Sequence, residues 1–285
     1  MTSAPSDIGA AEAAAMDTPP AQPARRRSPR GAGRATARAI LLPLLVLIII
    51  LAGWFAVTAA GAVSPLLVPA PPQVWDALVR GVFGGLWWEH IFTTLYEMVA
   101  GFFLGAIIGL VTGALFAFVG TLYQAFYPFV IALQSFPKIA IAPLLVVALG
   151  YGPEPKIVVA TLLAFFPIMT ASIAGFTNVN PDEHKLLRSY RASVWQELRY
   201  LRIPNAMSYV FPSFDVAVVL ALLGAVAAEL VGAQSGLGYL LIERQQFGDS
   251  ASMYAVLILL AILGVSLRSL TQGLRKVLPR SIVPR

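Results

Sequence analysis

The chain has no cysteine in 285 residues. Disulfides, thiolate metal sites and cysteine nucleophiles are therefore excluded. Histidine is almost absent as well: His90 and His184 are the two copies, and neither belongs to an HExxH zinc motif. No metal site is expected. Charge is scarce, at 12% of residues, where a soluble domain carries about a quarter. There is no GxxxxGKS or GxxxxGKT phosphate loop and no GxSxG nucleophile elbow, so a chain that binds ATP by itself or a serine hydrolase finds no support. No catalytic residue is expected.

What the chain has instead is apolar length. Residues are 58% hydrophobic, and the stretch AILLPLLVLIIILAGWFAVTAAGAV (39–63) carries no charge. A hydrocarbon core needs about 20 such residues per helix. The run is also longer than the apolar core of a cleaved signal peptide, about 7–15 residues, so it is predicted to be a retained first helix. Run length predicts an all-α, polytopic membrane protein with six transmembrane helices, at roughly 39–62, 92–119, 126–150, 156–178, 206–232 and 252–274. Residues 1–38, rich in Ala, Pro, Ser and Arg, cannot bury a core and are predicted to be a disordered cytoplasmic tail. The remaining regions are the first helix with an outer segment (39–91), the core (92–275) and a cytoplasmic tail (276–285).

The basic residues test this topology. With both termini inside, the six tail arginines, the five basic residues of 184–204 and the five from Arg268 to Arg285 all fall on the inner side. Arg80, Lys156 and Arg244 fall outside. That asymmetry follows the positive-inside rule. It explains the net charge of +6 by topology and anionic lipid rather than by nucleic acid. The outer segment 63–91 contains Pro71 and Pro72, which suit a helix start. Val74, Leu78, Trp87 and Trp88 suit an interfacial anchor.

Three features within the spans bear on mechanism. Gly101, Gly105, Gly109 and Gly113 recur at spacing four, which puts them on one helix face and predicts a close helix contact. In SFPKIAIAPLL, Pro137 and Pro143 must disturb the backbone ladder, beside Phe136 and Lys138. A cation at membrane depth faces a cavity or pairs with an acid, and Glu97, Asp215 and Glu229 are the available partners. Alternatively Lys138 snorkels toward the cytoplasmic end of its helix. Glu229, deep in the fifth span, is expected to line a path or gate. Phe165 and Phe166 suit either a flat solute or core packing.

A charged, helix-patterned segment, HKLLRSYRASVWQELRYLRIPNAM (184–207), interrupts the spans. Asn180 is a predicted N-cap, Pro181 a first helical residue, and Glu183 completes a capping box. Leu187, Tyr190, Val194, Leu198 and Leu201 form one apolar stripe. The sequence SVWQ (193–196) offers a second cap at Ser193, so the segment is predicted to bend near Arg191. Pro204 ends it. Such an element either lies on the membrane or docks in a groove of a soluble partner.

Resemblance decides between these. The segment resembles the cytoplasmic EAA loop of permease subunits of bacterial ABC importers, whose pattern is Glu-Ala-Ala, a Gly four residues later, and an Ile-x-Leu-Pro ending. Lys185, Leu186 and Leu187 occupy the first three positions, Arg191 the Gly position, and Leu201, Arg202, Ile203 and Pro204 the end. Length and Pro match; the Glu, both Ala and the Gly do not. Because Arg at positive φ is uncommon, Arg191 is expected to stay helical and soften the bend. The stretches FPKIAIAPLLVVALGYGPEPKI, AFFPIMTASIAGF and AELVGAQSGLGYLL resemble the type I branch that imports nitrate, taurine, alkanesulfonates and thiamine or flavin precursors. The similarity covers about 65–275.

The resemblance implies a transport subunit of the bacterial inner membrane, paired with a second permease copy as a homodimer. Two ATPase subunits, carrying ATP and Mg²⁺, would grip loop 180–204 through Pro181, Glu183, Leu186, Leu187, Tyr190, Arg191, Ala192, Ser193, Leu198 and Pro204. A periplasmic or lipid-anchored binding protein would deliver a small anionic or heteroaromatic solute. The alternative is a stand-alone secondary transporter or channel, which would want more intramembrane charge and an internal repeat.

Overall fold

In the computed structural model of the chain, residues 32–277 are described, with side chains from 41 to 275. The tail predictions for 1–31 and 278–285 lie outside the described residues. Helix α1 (Ala32–Ala59) begins inside the stretch expected to be a tail. Two units divide at residue 53, and the first contributes 32–53 to α1.

The second unit holds α2 (Pro71–Val82), α3 (Trp88–Phe118), α4 (Gly120–Ser135), a 3-10 turn (Lys138–Ile141), α5 (Ala142–Leu149) and α6 (Glu154–Thr177). It continues through α7 (Pro181–Ser189), α8 (Val194–Glu197), a π turn (Leu198–Arg202), α9 (Ile203–Gly232), α10 (Leu237–Gln246) and α11 (Ser250–Val277). Among the described residues, five helices are long and apolar enough to cross a membrane, or six if the bent pair α4 with the turn and α5 is one span.

That pair corrects the third predicted span. Residues 126–150 are not one helix: the axis turns by 83° at the break. Phe136 is extended and Pro137 follows with ψ 85°, so the break sits at Pro137, whose ring cannot continue the ladder. Pro143 breaks nothing. It lies in the first turn of α5, where proline is well placed because its missing N–H has no partner to lose.

The glycine stripe is a helix contact, as its spacing predicted. A Cβ on Gly105 would stand 2.9 Å from the Ala164 Cβ, and one on Gly109 would stand 2.9 Å from the Phe165 carbonyl. Gly101 meets Ala160 in the same way and Gly113 meets Ser172. The pairs advance together, so α3 and α6 run parallel and in register. Gly175 abuts Ala206, and Gly224 abuts Ala160, so α9 runs antiparallel to α6. Small residues (Ala160, Ala164, Ala217, Ala221, Ala225) fill the three-helix core with Met98 and Ile168. In lipid this close packing, rather than an apolar driving force, holds helices together. Segment 180–202 thus lies at one end of the bundle. The starts of α3 and α6 and the end of α9 meet at the other.

The outer segment departs from its prediction. Val74, Ala77, Trp87 and Ile91 are buried against Leu237, Leu240, Ala255 and Val256. The Trp87 ring lies where a Cβ on Gly81 would be. The face assigned to lipid headgroups instead packs on α10 and α11, because protein neighbours bury more of an indole than an interface does. Trp88 by contrast is 45% exposed.

Candidate functional site

Two constellations mark the ends of the bundle. At one end, segment 180–204 is two short helices joined by a fixed bend. Asn180 Oδ1 accepts from the Asp182 N–H at 3.0 Å, and Pro181 is the first helical residue. Glu183 reaches the Asn180 side-chain amide at 3.5 Å rather than its backbone N–H, so the cap forms without the predicted reciprocal box.

Helix α7 ends in a full Schellman motif. The Ala192 N–H donates to the Leu187 carbonyl at 3.0 Å and the Arg191 N–H to the Arg188 carbonyl at 3.0 Å. Arg191 sits at the left-handed position with φ 55°. This overturns the expectation of a helical Arg191 and a softened bend. The local cost of that φ, about 1–2 kcal/mol, is offset by two satisfied carbonyls and by the new start that follows. Ser193 caps α8, as its sequence offered, and does so through a reciprocal box: the Gln196 N–H donates to Ser193 Oγ at 3.3 Å, and the Ser193 N–H to Gln196 Oε1 at 2.8 Å.

The bend also breaks the apolar stripe. Leu201 is buried and Leu187 and Leu198 are half-buried, facing the protein. Leu186, Tyr190, Val194 and Trp195 are exposed, Tyr190 at 77% and Val194 at 85%. A single stripe requires one uninterrupted helix; the left-handed residue and the π turn shift the phase, so the stripe divides into an inner and an outer set.

Polar ties hold the segment to the bundle. Arg202 bonds Glu197 through Nε and Nη2, both at 2.7 Å, and donates from Nη1 to the Phe176 carbonyl at 3.3 Å. His184 Nδ1 lies 3.2 Å from the same Glu197 oxygen. Asn205 donates to the carbonyls of Gly175 and Asn178 at 2.7 and 2.9 Å.

The opposite end holds three buried charged residues, Glu97, Lys156 and Glu229, each 2% exposed. Glu229 Oε1 accepts from the Thr94 hydroxyl at 2.7 Å, and Oε2 accepts from the Gly238 N–H at 2.5 Å. The Leu237 N–H donates to Thr94 Oγ1 at 2.8 Å, and the Gly236 N–H to His90 Nδ1 at 3.2 Å. The first N–H groups of α10 are therefore satisfied by α3 and α9, as any buried helix start requires. Gly236 has φ 113°, and a Cβ there would strike the Glu229 carboxylate.

Lys156 donates to the Tyr151 and Gly152 carbonyls at 2.7 and 2.6 Å. It is a buried residue of the first turn of α6, where the sequence had only counted it among the cations on the outer side. Its signal was a lysine against the positive end of an apolar helix, with unpaired acids in two other spans. Glu97 faces Glu229 through a side-chain hydrogen bond between their carboxyl groups and lies near Lys156. Glu97 and Lys156 border a cavity of about 490 Å³ with Phe92, Tyr96, Tyr151 and Ser235.

Lys138 joins neither group. Its Nζ donates to the Gln134 carbonyl at 2.9 Å and lies 4.5 Å from the centre of the Phe166 ring. The acids proposed as its partners are engaged elsewhere: Glu229 as described, and Asp215 with Thr271 and Gln272 at 2.6 and 3.2 Å. Lys138, Gln134, Phe166 and Thr170 border a second cavity of about 370 Å³ at the helix break. Phe136 is exposed there, and Phe165 packs with Phe166, Val130 and Met169.

Parallel glycine-zipped helices, a proline-broken span and a capped segment at one end define a polytopic helical bundle. The methionine ABC transporter MetNI in its inward-facing form shares the fold: TM-score 0.58 at 22% identity, covering 72% of this chain and 97% of that one. The family model described as "Binding-protein-dependent transport system inner membrane component" matches residues 101–283, and the chain belongs to that family. A probable ABC transporter permease of Haemophilus influenzae is 32% identical over 80% of this chain and 92% of its own. The taurine transport system permease TauC of Escherichia coli K12 is 26% identical over 87% and 90%. The riboflavin transport permease RibX of Chloroflexus aurantiacus is 30% identical over 85% and 90%. The chain is an integral inner-membrane transport subunit of an ATP-driven ABC importer, a class that works with ATPase and substrate-binding partners.

Proposed function

We propose that this permease pairs with a second copy of itself and that two ATPase subunits grip segment 180–204 from the cytoplasm. The observation that carries the reading is the exposed set Leu186, Tyr190, Val194 and Trp195 on a segment fixed to α6 and α9. Large exposed apolar side chains beside a rigid bend suit a groove in a protein partner. On this reading ATP and Mg²⁺ belong to the ATPase subunits and this chain has no nucleotide site or catalytic residue. Both termini are cytoplasmic, and a binding protein meets the opposite end.

Phe136, Pro137 and Lys138 border the path at the helix break, and Glu97 borders it at the outer end. Glu229 serves that end as a fixed anchor, while Pro143 starts α5 and leaves the path to its neighbours. The relatives carry names for aliphatic sulfonate, taurine, riboflavin and formylaminopyrimidine transport, and a small solute of one of these classes is the proposed cargo.

Reconstitution tests the division of labour. Proteoliposomes holding the permease, the ATPase and the binding protein are expected to accumulate solute only with ATP inside. Uptake by the permease alone, driven by a proton or sodium gradient, would overturn the reading in favour of a secondary transporter.

A further inference from the structure

The cavity at the helix break holds a charge that the rest of the fold leaves unmatched. The Lys138 ammonium lies 4.5 Å from the centre of the Phe166 ring. Phe166 stands near the middle of α6, which runs from Glu154 to Thr177. At about 1.5 Å of rise per residue, the ring is about 18 Å from one end of that helix and about 17 Å from the other. Snorkelling to the cytoplasmic end therefore does not describe Lys138. Its side chain folds back instead, and Nζ donates to the Gln134 carbonyl at 2.9 Å. A cation at this depth is costly and marks a path or an ion site.

No acid balances that charge. Among the described residues, no carboxylate lies within 4 Å of the ammonium, and none borders the cavity of about 370 Å³. Asp215, on α9 with the lining residue Leu220, is engaged by Thr271 and Gln272 of α11. The cavity is within the usual size range for small-molecule sites, and the Gln134 side chain borders it beside Lys138. The break leaves Phe136 and Ile139 exposed. Irregular backbone at membrane depth is tolerated only against protein or a water-filled cavity, so this pocket opens on a path rather than on lipid. An ammonium has three hydrogens to give, and the Gln134 carbonyl takes one. A small anion would accept another and supply the missing negative charge, whereas a neutral ring would leave the charge unmatched. Complementary charge of this kind sets specificity.

We infer that this cavity is a mid-membrane solute site selective for small oxyanions of the sulfonate class, with Lys138 as the ion partner and the Gln134 side-chain amide as a second donor. The inference rests on the importer reading and narrows its cargo to the sulfonates.

The test is equilibrium binding to the full-length permease with its ATPase in lipid nanodiscs, by titration calorimetry. The probes are ethanesulfonate and ethanesulfonamide, which are close in shape and differ in charge. Ethanesulfonate is expected to bind, and ethanesulfonamide to bind about tenfold or more weakly. Lys138→Met is expected to weaken ethanesulfonate by about tenfold or more. Lys138→Arg, which keeps the charge, should restore most of that loss, and Gln134→Leu should weaken binding severalfold. No ethanesulfonate binding by the unaltered permease overturns the site, and equal binding of the sulfonamide overturns its selectivity. Unchanged affinity in Lys138→Met overturns its location. A loss as great with arginine as with methionine overturns the role of charge. Binding is measured without nucleotide and without an ion gradient, so it is independent of the proteoliposome test of ATP-driven uptake, and either conclusion can fail alone.

Discussion

Thr94 and Glu229 lie 135 residues apart in sequence and share a 2.7 Å hydrogen bond. Through it α3 and α9 together hold the first N–H groups of α10. Glu229→Ala would leave the Gly238 N–H and the Thr94 hydroxyl without their acceptor. Each buried group so orphaned costs about 1–3 kcal/mol. The variant should melt several degrees lower, measured on purified protein in detergent. Thr94→Val should do the same through the Leu237 N–H. An unchanged melting point in both would show that the node carries no stability.

Arg191 makes a second test. Glycine adopts the left-handed conformation without the Cβ penalty, so Arg191→Gly should keep the bend, with stability equal or slightly higher. Arg191→Pro fixes φ near −65° and removes the N–H that bonds the Arg188 carbonyl. Proline should therefore abolish ATPase co-purification where glycine preserves it. Retention with proline would mean that the bend is dispensable.

The divided stripe sorts the residues of segment 180–204. Leu186→Asp and Tyr190→Asp alter the exposed set and should release the ATPase. Truncating an interface anchor costs about 2 kcal/mol or more, roughly thirtyfold in affinity. Arg199→Ala should have little effect. Leu187→Asp, facing the bundle, should lower expression instead. Pull-down at matched expression checks the order, and full retention with Leu186→Asp and Tyr190→Asp together would end the docking reading.

The glycine stripe predicts a steep contrast. Gly105→Val would press Cβ to within 2.9 Å of Ala164, and overpacking costs typically about 1–3 kcal/mol. Gly273 has nothing within 4 Å among the described residues, so Gly273→Ala should be neutral. Yield and melting temperature of the two variants decide it.

The absence of cysteine gives a direct topology assay. Glu89→Cys, exposed at the outer end, should react with a membrane-impermeant maleimide in spheroplasts. Ser189→Cys, exposed on the opposite end, should react only after lysis. The reverse pattern would invert the orientation.

Much of this was legible in the sequence because the signals are local. Spacing four placed the glycines on one face, and Ser193 with Gln196 announced a second helix start. What escaped depends on distant partners. Arg191 is left-handed because two backbone bonds and the start at Ser193 outweigh its own preference. Lys156 was counted only as an outer-side cation because the carbonyls that hold it come from a turn whose path cannot be read from composition. Trp87 looked interfacial because an amphipathic ring suits a headgroup layer as well as a protein cleft, and the deciding neighbours lie on α10 and α11. Lys138 was offered acids that other spans had already engaged.

The clamp of Arg202 on Glu197 and the Phe176 carbonyl, with Asn205 spanning Gly175 and Asn178, has a mechanical consequence. A loop tied at one point swings under load and dissipates it. Segment 181–202 is tied to the ends of two antiparallel helices that themselves touch through Gly175 and Ala206 with no intervening side chain. On the docking reading proposed above, torque applied at Tyr190 would meet no slack joint in these ties, and α6 and α9 would turn with the segment as one piece.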